Sequence, residues 1–252
     1  MRIFAVIFFS FIFFAPVYAQ FCPPMSGKVG EKKLFHITAG FGITKLYGDL
    51  GDNDALGSAG TILVDYQVKK GLFVGIESQF GRLLTEASDN FNANAKQSHN
   101  NYMAGGFRVT FHPFGFFANK KYLQSYTDVL LESLYVAAGS LYIINNYDYV
   151  YRNLNDFSTY GDIAGRDNNG DIIFSDRTRT LILPSLNVGT VLPLNNTLSN
   201  TGPVLSLVAN AQVNFGGNDL LDGYTPYDGN GRLIPGNNDM YNFYSLGLRY
   251  SF

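Results

Sequence analysis

The chain has 252 residues, a formal net charge of −2, 15% charged and 46% hydrophobic residues, and a single cysteine. This balance excludes a basic nucleic-acid stripe, and a lone cysteine excludes an intramolecular disulfide. A mean hydropathy of zero despite that apolar content is what alternation of apolar and polar residues produces, as in a membrane β-barrel.

Met1-Arg2 is a short basic start, 3–14 is an apolar run, and Val17-Tyr18-Ala19 is a small-x-small cleavage signal. Together they predict a secretory signal peptide over 1–19, with 20–33 a periplasmic segment and 34–252 the barrel. The apolar run is too short for a spanning helix, which needs about 20 residues. Cys22 follows Phe21, where a lipidation signal requires a small residue, so Cys22 is left with an intermolecular partner or no role.

Eight strands follow by two-residue alternation. The first, over 34–47, turns Phe35, Ile37, Ala39, Phe41 and Ile43 to one face and His36, Thr38, Gly40, Gly42 and Thr44 to the other. The second, 60–68, places Ile62, Val64, Tyr66 and Val68 outward, and Lys69-Lys70-Gly71 is a tight turn. The third begins at Leu72 with Val74, Ile76 and Phe80 outward. The fourth, 101–112, has Met103, Phe107, Val109 and Phe111 outward and stops at Pro113. A helical turn is expected over 126–134. The fifth strand, 133–145, is apolar on both faces, so its facing is open. The sixth, 180–191, is expected to put Ile182, Leu186 and Val188 on the lipid side. The seventh, 204–215, sets Leu205, Leu207, Ala209, Ala211, Val213 and Phe215 against Ser206, Asn210, Gln212 and Asn214.

The eighth strand is the terminal one. Tyr244, Leu246, Leu248, Tyr250 and Phe252 alternate with Ser245, Gly247, Arg249 and Ser251. The ending resembles the C-terminal signal of bacterial outer-membrane barrels, which implies recognition by the barrel-assembly machinery. An even strand count puts both ends of the barrel on one side, the periplasm, with short turns there and long outer loops at 82–100, 146–177 and 216–240. A hairpin hidden in a long loop would raise the count to ten.

Lumen-facing charges in so narrow a barrel need partners. Asp65 and Glu77 flank the Lys69-Gly71 turn nearly symmetrically and are expected side by side on neighbouring strands. Arg108 and Arg249 are expected at similar depth, so Asp65, Glu77, Arg108 and Arg249 are predicted to form a compensated layer that plugs the barrel. Charge also separates along the barrel axis: 146–177 carries six Asp against three Arg, while Lys69, Lys70, Lys120 and Lys121 lie at the other end. That basic rim is either a docking surface for periplasmic or outer-membrane subunits or a set of solubilising turn charges.

Nothing points to catalysis. No GxSxG occurs, and His36, His99 and His112 are not accompanied by a serine set at the outer leaflet. Asp167-Asn168-Asn169-Gly170-Asp171 lacks the glycine and the acid that a calcium loop requires at its sixth and twelfth positions. Asn169-Gly170 and Asn230-Gly231 read as hairpin turns. No cofactor and no enzymatic activity are expected.

The stretch His36 to Leu50, HITAGFGITKLYGDL, with its compact Tyr47, Gly48, Asp49, Leu50 ending, resembles the opening strand of small outer-membrane barrels of the Bacteroidota. Asn218-Asp219-Leu220-Leu221-Asp222-Gly223-Tyr224 and Asn238-Asp239-Met240-Tyr241-Asn242-Phe243 are similar to that group's last loop and last strand. The group includes the PorG-like accessory barrel of the type IX secretion and gliding machinery. The resemblance implies an outer-membrane barrel that contacts periplasmic subunits. Two function classes follow: a structural or accessory barrel that docks other envelope proteins, and a narrow channel or loop-based ligand-binding barrel.

Overall fold

The computed structural model describes residues 33–48, 54–86, 96–117, 126–154, 159–168, 170–194, 203–225, 227 and 238–252. The expected signal peptide, Cys22, Asp49-Leu50, Lys120, Lys121, Asn169 and Asn230-Gly231 lie outside them.

Strands β1 (Phe35–Tyr47), β2 (Gly57–Lys69), β3 (Leu72–Glu86) and β4 (Gln97–Phe111) are followed by helices α1 (Pro113–Phe117) and α2 (Tyr126–Ser133). Then come β5 (Leu134–Val150), β6 (Ile163–Arg166), β7 (Ile172–Phe174), β8 (Arg177–Pro193), β9 (Val204–Gly216) and β10 (Met240–Ser251). Eight of these strands close a barrel in the order β1-β10-β9-β8-β5-β4-β3-β2, all antiparallel. Closure is made by β1 against β10, from His36 opposite Ser251 to Tyr47 opposite Met240. Phe35 and Phe252 exchange backbone hydrogen bonds of 3.2 and 3.0 Å beyond that register. β6 and β7 form a separate two-stranded sheet, so the extra hairpin is present but does not widen the barrel.

The outer surface explains why the chain closes this way. Phe41 is 66% exposed, Phe107 69%, Met103 62% and Leu246 57%, and comparable apolar side chains ring every barrel strand. A continuous belt of this kind has no place in water. With every barrel strand paired on both sides, it suits hydrocarbon. Near the β1/β10 seam the belt ends in aromatic rings: Phe35 lies 5.1 Å from Tyr66 and 6.1 Å from Phe252 between centroids. At the opposite end the outward face turns polar. Arg82 Nε donates to Asn101 Oδ1 at 2.9 Å, and Arg177 Nε donates to Asn146 Oδ1 at 3.2 Å. The fold is therefore a transmembrane barrel whose strands rise beyond the lipid at the loop end. Phe107 sits halfway along the β4 stretch from Met103 to Phe111. Replacing it by Arg is expected to cost about 2–4 kcal/mol, the penalty for a cation at mid-bilayer. The check is urea unfolding of the barrel in lipid vesicles. A cost below about 1 kcal/mol would mean this face does not meet hydrocarbon.

The expected facing holds on β1, β2, β9 and β10. On β5 the odd-numbered residues point inward, Tyr135, Ala137, Leu141, Ile143 and Asn145 among them. β8 corrects one expectation: Ile182 faces the lumen and is fully buried, whereas Leu183 is 62% exposed. The register shifts between Ile182 and Ser185 against both neighbours, because β8 carries one extra residue there. That bulge holds Pro184, and it inverts the alternation so that Ser185 and Asn187 point inward with Leu186 and Val188 outside. At the opposite side of the barrel, Gly71 takes φ 73° and closes the β2–β3 turn, a backbone shape that glycine adopts without a Cβ clash.

Candidate functional site

The lumen is filled in three tiers. Nearest the β1/β10 seam's terminal end, a floor of rings runs His36, Phe73, His112, Tyr135, with successive centroids 5.1, 5.2 and 5.5 Å apart. His36 shares a 2.7 Å hydrogen bond with Ser251. His112 lies just past β4, and its Nδ1 faces the Glu132 carbonyl at the end of α2 at 3.3 Å. Burial lowers the His112 pKa to about 4, so it adds no charge at neutral pH. His99 is exposed on β4, its ring 5.7 Å from that of Tyr149.

The charges lie above this floor. Arg249 donates from Nε to Thr38 Oγ1 at 3.0 Å and from its terminal nitrogen to Asp65 Oδ2 at 2.9 Å. Arg108 approaches Glu77 at 3.6 Å, donates to Thr110 Oγ1 at 3.2 Å, and lies over the Tyr135 ring at 5.3 Å. All four charged residues are at most 5% exposed. The structure corrects their arrangement in one respect: Asp65 and Glu77 are not side by side. Asp65 stands opposite Gly75 and Glu77 opposite Leu63. Gly75 also stands opposite Arg108, and Leu63 opposite Thr38, which faces Arg249. So Asp65 and Arg108 share one row, Glu77 and Arg249 the next, and each ion pair runs diagonally between rows. The acids are thereby separated and each faces a guanidinium. A cavity of about 20 Å³ between Thr38, Glu77, Arg108, Tyr135 and Arg249 has room for about one water.

The middle tier is an amide bridge across the barrel. Gln79 Nε2 donates to Glu77 Oε1 at 2.7 Å and to Gln212 Oε1 at 2.9 Å. Gln212 Nε2 donates on to Ser185 Oγ at 2.8 Å. The hydroxyls of Tyr102 and Tyr241 donate to Gln79 Oε1 at 3.3 and 3.1 Å.

The third tier, toward the loop end, is apolar: Leu46, Leu83, Leu141, Ile143, Ile182, Tyr241 and Phe243 pack with Leu221, which comes from outside the barrel. Leu221 belongs to the segment after β9, which folds back into the mouth as a cap. Gly217 N–H donates to Leu181 O at 2.8 Å. Thr180 Oγ1 donates to Asn218 Oδ1 at 2.8 Å, and Asn100 Nδ2 donates to Leu221 O at 2.8 Å. The Tyr147 hydroxyl donates to Leu220 O. Gly223, at φ 82°, turns the chain beneath Tyr147 and Val150. Buried Tyr224 donates to the carbonyls of Gln97 and Tyr151 at 2.8 and 2.9 Å and accepts from Gln97 N–H at 2.9 Å.

No protein-family model matches the chain, and no curated protein matches it. Among solved structures it is similar to Neisserial surface protein A, at 15% identity, covering 86% of this chain and 97% of that one with a TM-score of 0.42. It is also similar to Ail, the attachment invasion locus protein of Yersinia pestis, at 11% identity, 86% and 97% coverage and a TM-score of 0.41. The outer membrane protein OprG of Pseudomonas aeruginosa matches at 9% identity, 88% and 98% coverage and a TM-score of 0.37. The likeness goes no further than the strand pairing already described.

Of the remaining expected sites, Tyr244, Leu246, Leu248, Tyr250 and Phe252 all lie on the outer face of the seam strand. Lys69 and Lys70 are exposed at the β2–β3 turn, with Lys69 Nζ 4.7 Å from the Phe116 ring centre. The loop run from Asp167 to Asp171 closes the β6–β7 hairpin: Asp167 and Asp171 share a 2.9 Å backbone bond and Gly170 takes φ 89°.

Proposed function

We propose that this chain is an integral outer-membrane barrel, both termini periplasmic, that serves as a structural or accessory subunit docking other envelope proteins. The observation that carries this reading is the filled lumen. Paired charges, an amide bridge and a capped apolar tier follow one another along the axis, so the work of the molecule falls to its rims. The turn carrying Lys69 and Lys70 is the part of the basic rim that lies among the described residues, and a periplasmic partner with acidic surface suits it. The resemblance of both chain ends to Bacteroidota barrels extends the reading to an accessory role in type IX secretion. The barrel-assembly machinery is the expected partner during insertion, and outer-membrane lipid thereafter.

Two measurements test the proposal together. The barrel in planar bilayers is expected to give no steady conductance; an open pore would favour the channel reading. A photo-crosslinker placed at Lys70 is expected to trap a periplasmic subunit in cells, whereas the same crosslinker at lipid-facing Leu248 traps none. Identical, empty results at both positions would remove the docking role.

A further inference from the structure

The cap at the barrel mouth brings three carboxylates together. Asp219, Asp222 and Asp239 each present an oxygen, and these oxygens all lie within 4.8 Å of one another. Asp222 and Asp239 are 1% and 0% exposed. Asp239 Oδ2 accepts from the backbone N–H groups of Leu221 and Asp222 at 2.7 and 3.2 Å. Its other oxygen, Oδ1, is fully buried and has no hydrogen-bond partner among the described residues.

The setting of that oxygen indicates what it is for. A Cβ added at Gly48 would lie 2.6 Å from Asp239 Oδ1 and 3.2 Å from Asp222 Oδ2. Both oxygens therefore converge on the same small space, kept open by a residue without a side chain. A buried carboxylate oxygen with nothing to accept is costly, and neighbouring anions add repulsion. Arg152 contributes positive potential toward Asp222, but its guanidinium is committed to the carbonyls of Thr159 and Gly223 and to the face of Phe174.

We propose that Asp219, Asp222 and Asp239 bind a hard divalent cation, calcium by preference, which clamps the last loop into the barrel mouth. The donor set is all oxygen, which suits calcium and magnesium over zinc. Oxygens bound to one calcium at 2.3–2.6 Å stand at most about 5.2 Å apart, and the observed spread fits within that. Magnesium requires a tighter octahedron with several waters, which two buried, convergent carboxylates accommodate less well. The cation would tie Asp239, at the start of β10, to Asp219 and Asp222 in the segment after β9, so cap and barrel would hold together more firmly when it is bound.

Terbium luminescence tests this on the full barrel in detergent. The chain has no Trp and 17 Tyr, and Tyr147 donates to the carbonyl of Leu220, next in the chain to Asp219, and packs its ring against Gly223, next to Asp222, so tyrosine excitation is expected to sensitise a bound terbium ion. Calcium chloride should displace the signal, sodium chloride should not, and calcium should raise the thermal midpoint of the wild type. Asp239→Asn keeps an oxygen for the two backbone N–H groups but removes the charge. It should weaken terbium binding at least about tenfold, in line with the dependence of affinity on ligand charge, and abolish the calcium-induced midpoint shift. Should that variant fail to fold, Asp219→Asn at the more exposed edge of the trio should lower affinity in the same direction. Absence of terbium luminescence in the wild type, or an unchanged titration in the folded variant, overturns the proposal.

Discussion

Arg249→Ala is expected to destabilise the barrel by about 3–5 kcal/mol, the cost of stranding a buried charge when its partner is removed. Asp65, 1% exposed, takes its short ionic contact of 2.9 Å from Arg249. Its other oxygen, Oδ1, has no hydrogen-bond partner among the described residues. Removing the guanidinium also takes the Nε donor from Thr38. Arg108→Ala should cost less. Its contact to Glu77 is 3.6 Å, and Glu77 retains the 2.7 Å bond from Gln79. The ordering matters more than either value, since a generic loss of arginine packing would affect both alike. Urea unfolding in detergent micelles, followed by tyrosine fluorescence and heat-dependent gel mobility, gives the two costs. The double variant Arg249→Leu, Asp65→Leu should recover most of the loss, as apolar replacement of a buried ion pair often does. Equal costs for Arg249→Ala and Arg108→Ala, or no recovery in the double variant, would refute the diagonal pairing.

The parts of the fold that repeat every two residues were legible in the chain, and the parts that break the repeat were not. The outward faces of β1, β2, β9 and β10 follow directly from alternation, because one side meets lipid and the other a partly polar lumen. The facing of β5 stayed open because its inward residues Tyr135, Ala137, Leu141 and Ile143 are as apolar as its outward ones. That ambiguity was itself the trace of the apolar tier. β8 misled at Ile182, although Pro184 marked the spot: a proline inside a central strand belongs at a bulge, and a bulge inverts every side chain beyond it. The four lumen charges were visible as polar breaks on otherwise apolar strands. Their diagonal pairing was not, because Asp65 stands four residues before Lys69 and Glu77 six after Gly71, and the strands pair symmetrically about Lys70, which sets Asp65 opposite Gly75. The cap escaped altogether. Loop segments carry no period, and the burial of Leu221 and Tyr224 depends on the Asn100, Tyr147 and Gln97 groups that receive them.

The tiered lumen leads to the second large effect. Phe243 is 0% exposed in the apolar tier, packed with Leu46, Tyr241 and the inserted Leu221. Phe243→Ala is expected to cost about 3–5 kcal/mol, the transfer loss of a buried ring together with the cavity it leaves. Because the tier is where cap and barrel meet, the variant should also expose the segment around Leu221 to protease at temperatures where the wild type resists. It should nevertheless remain non-conducting. Gln212 stands directly opposite Phe243, but its side-chain bonds to Gln79 and Ser185 do not involve the ring, and Arg249 lies six residues farther along β10, so bridge and ion pairs should stand when the ring is gone. Phe243→Leu, which keeps much of the volume, should lose under about 2 kcal/mol and keep the protease resistance. Planar-bilayer recordings and limited proteolysis of the refolded barrels decide it. A steady pore in Phe243→Ala would mean that the outer tier alone seals the lumen, and that the polar tiers beneath it are a wetted path held shut from above.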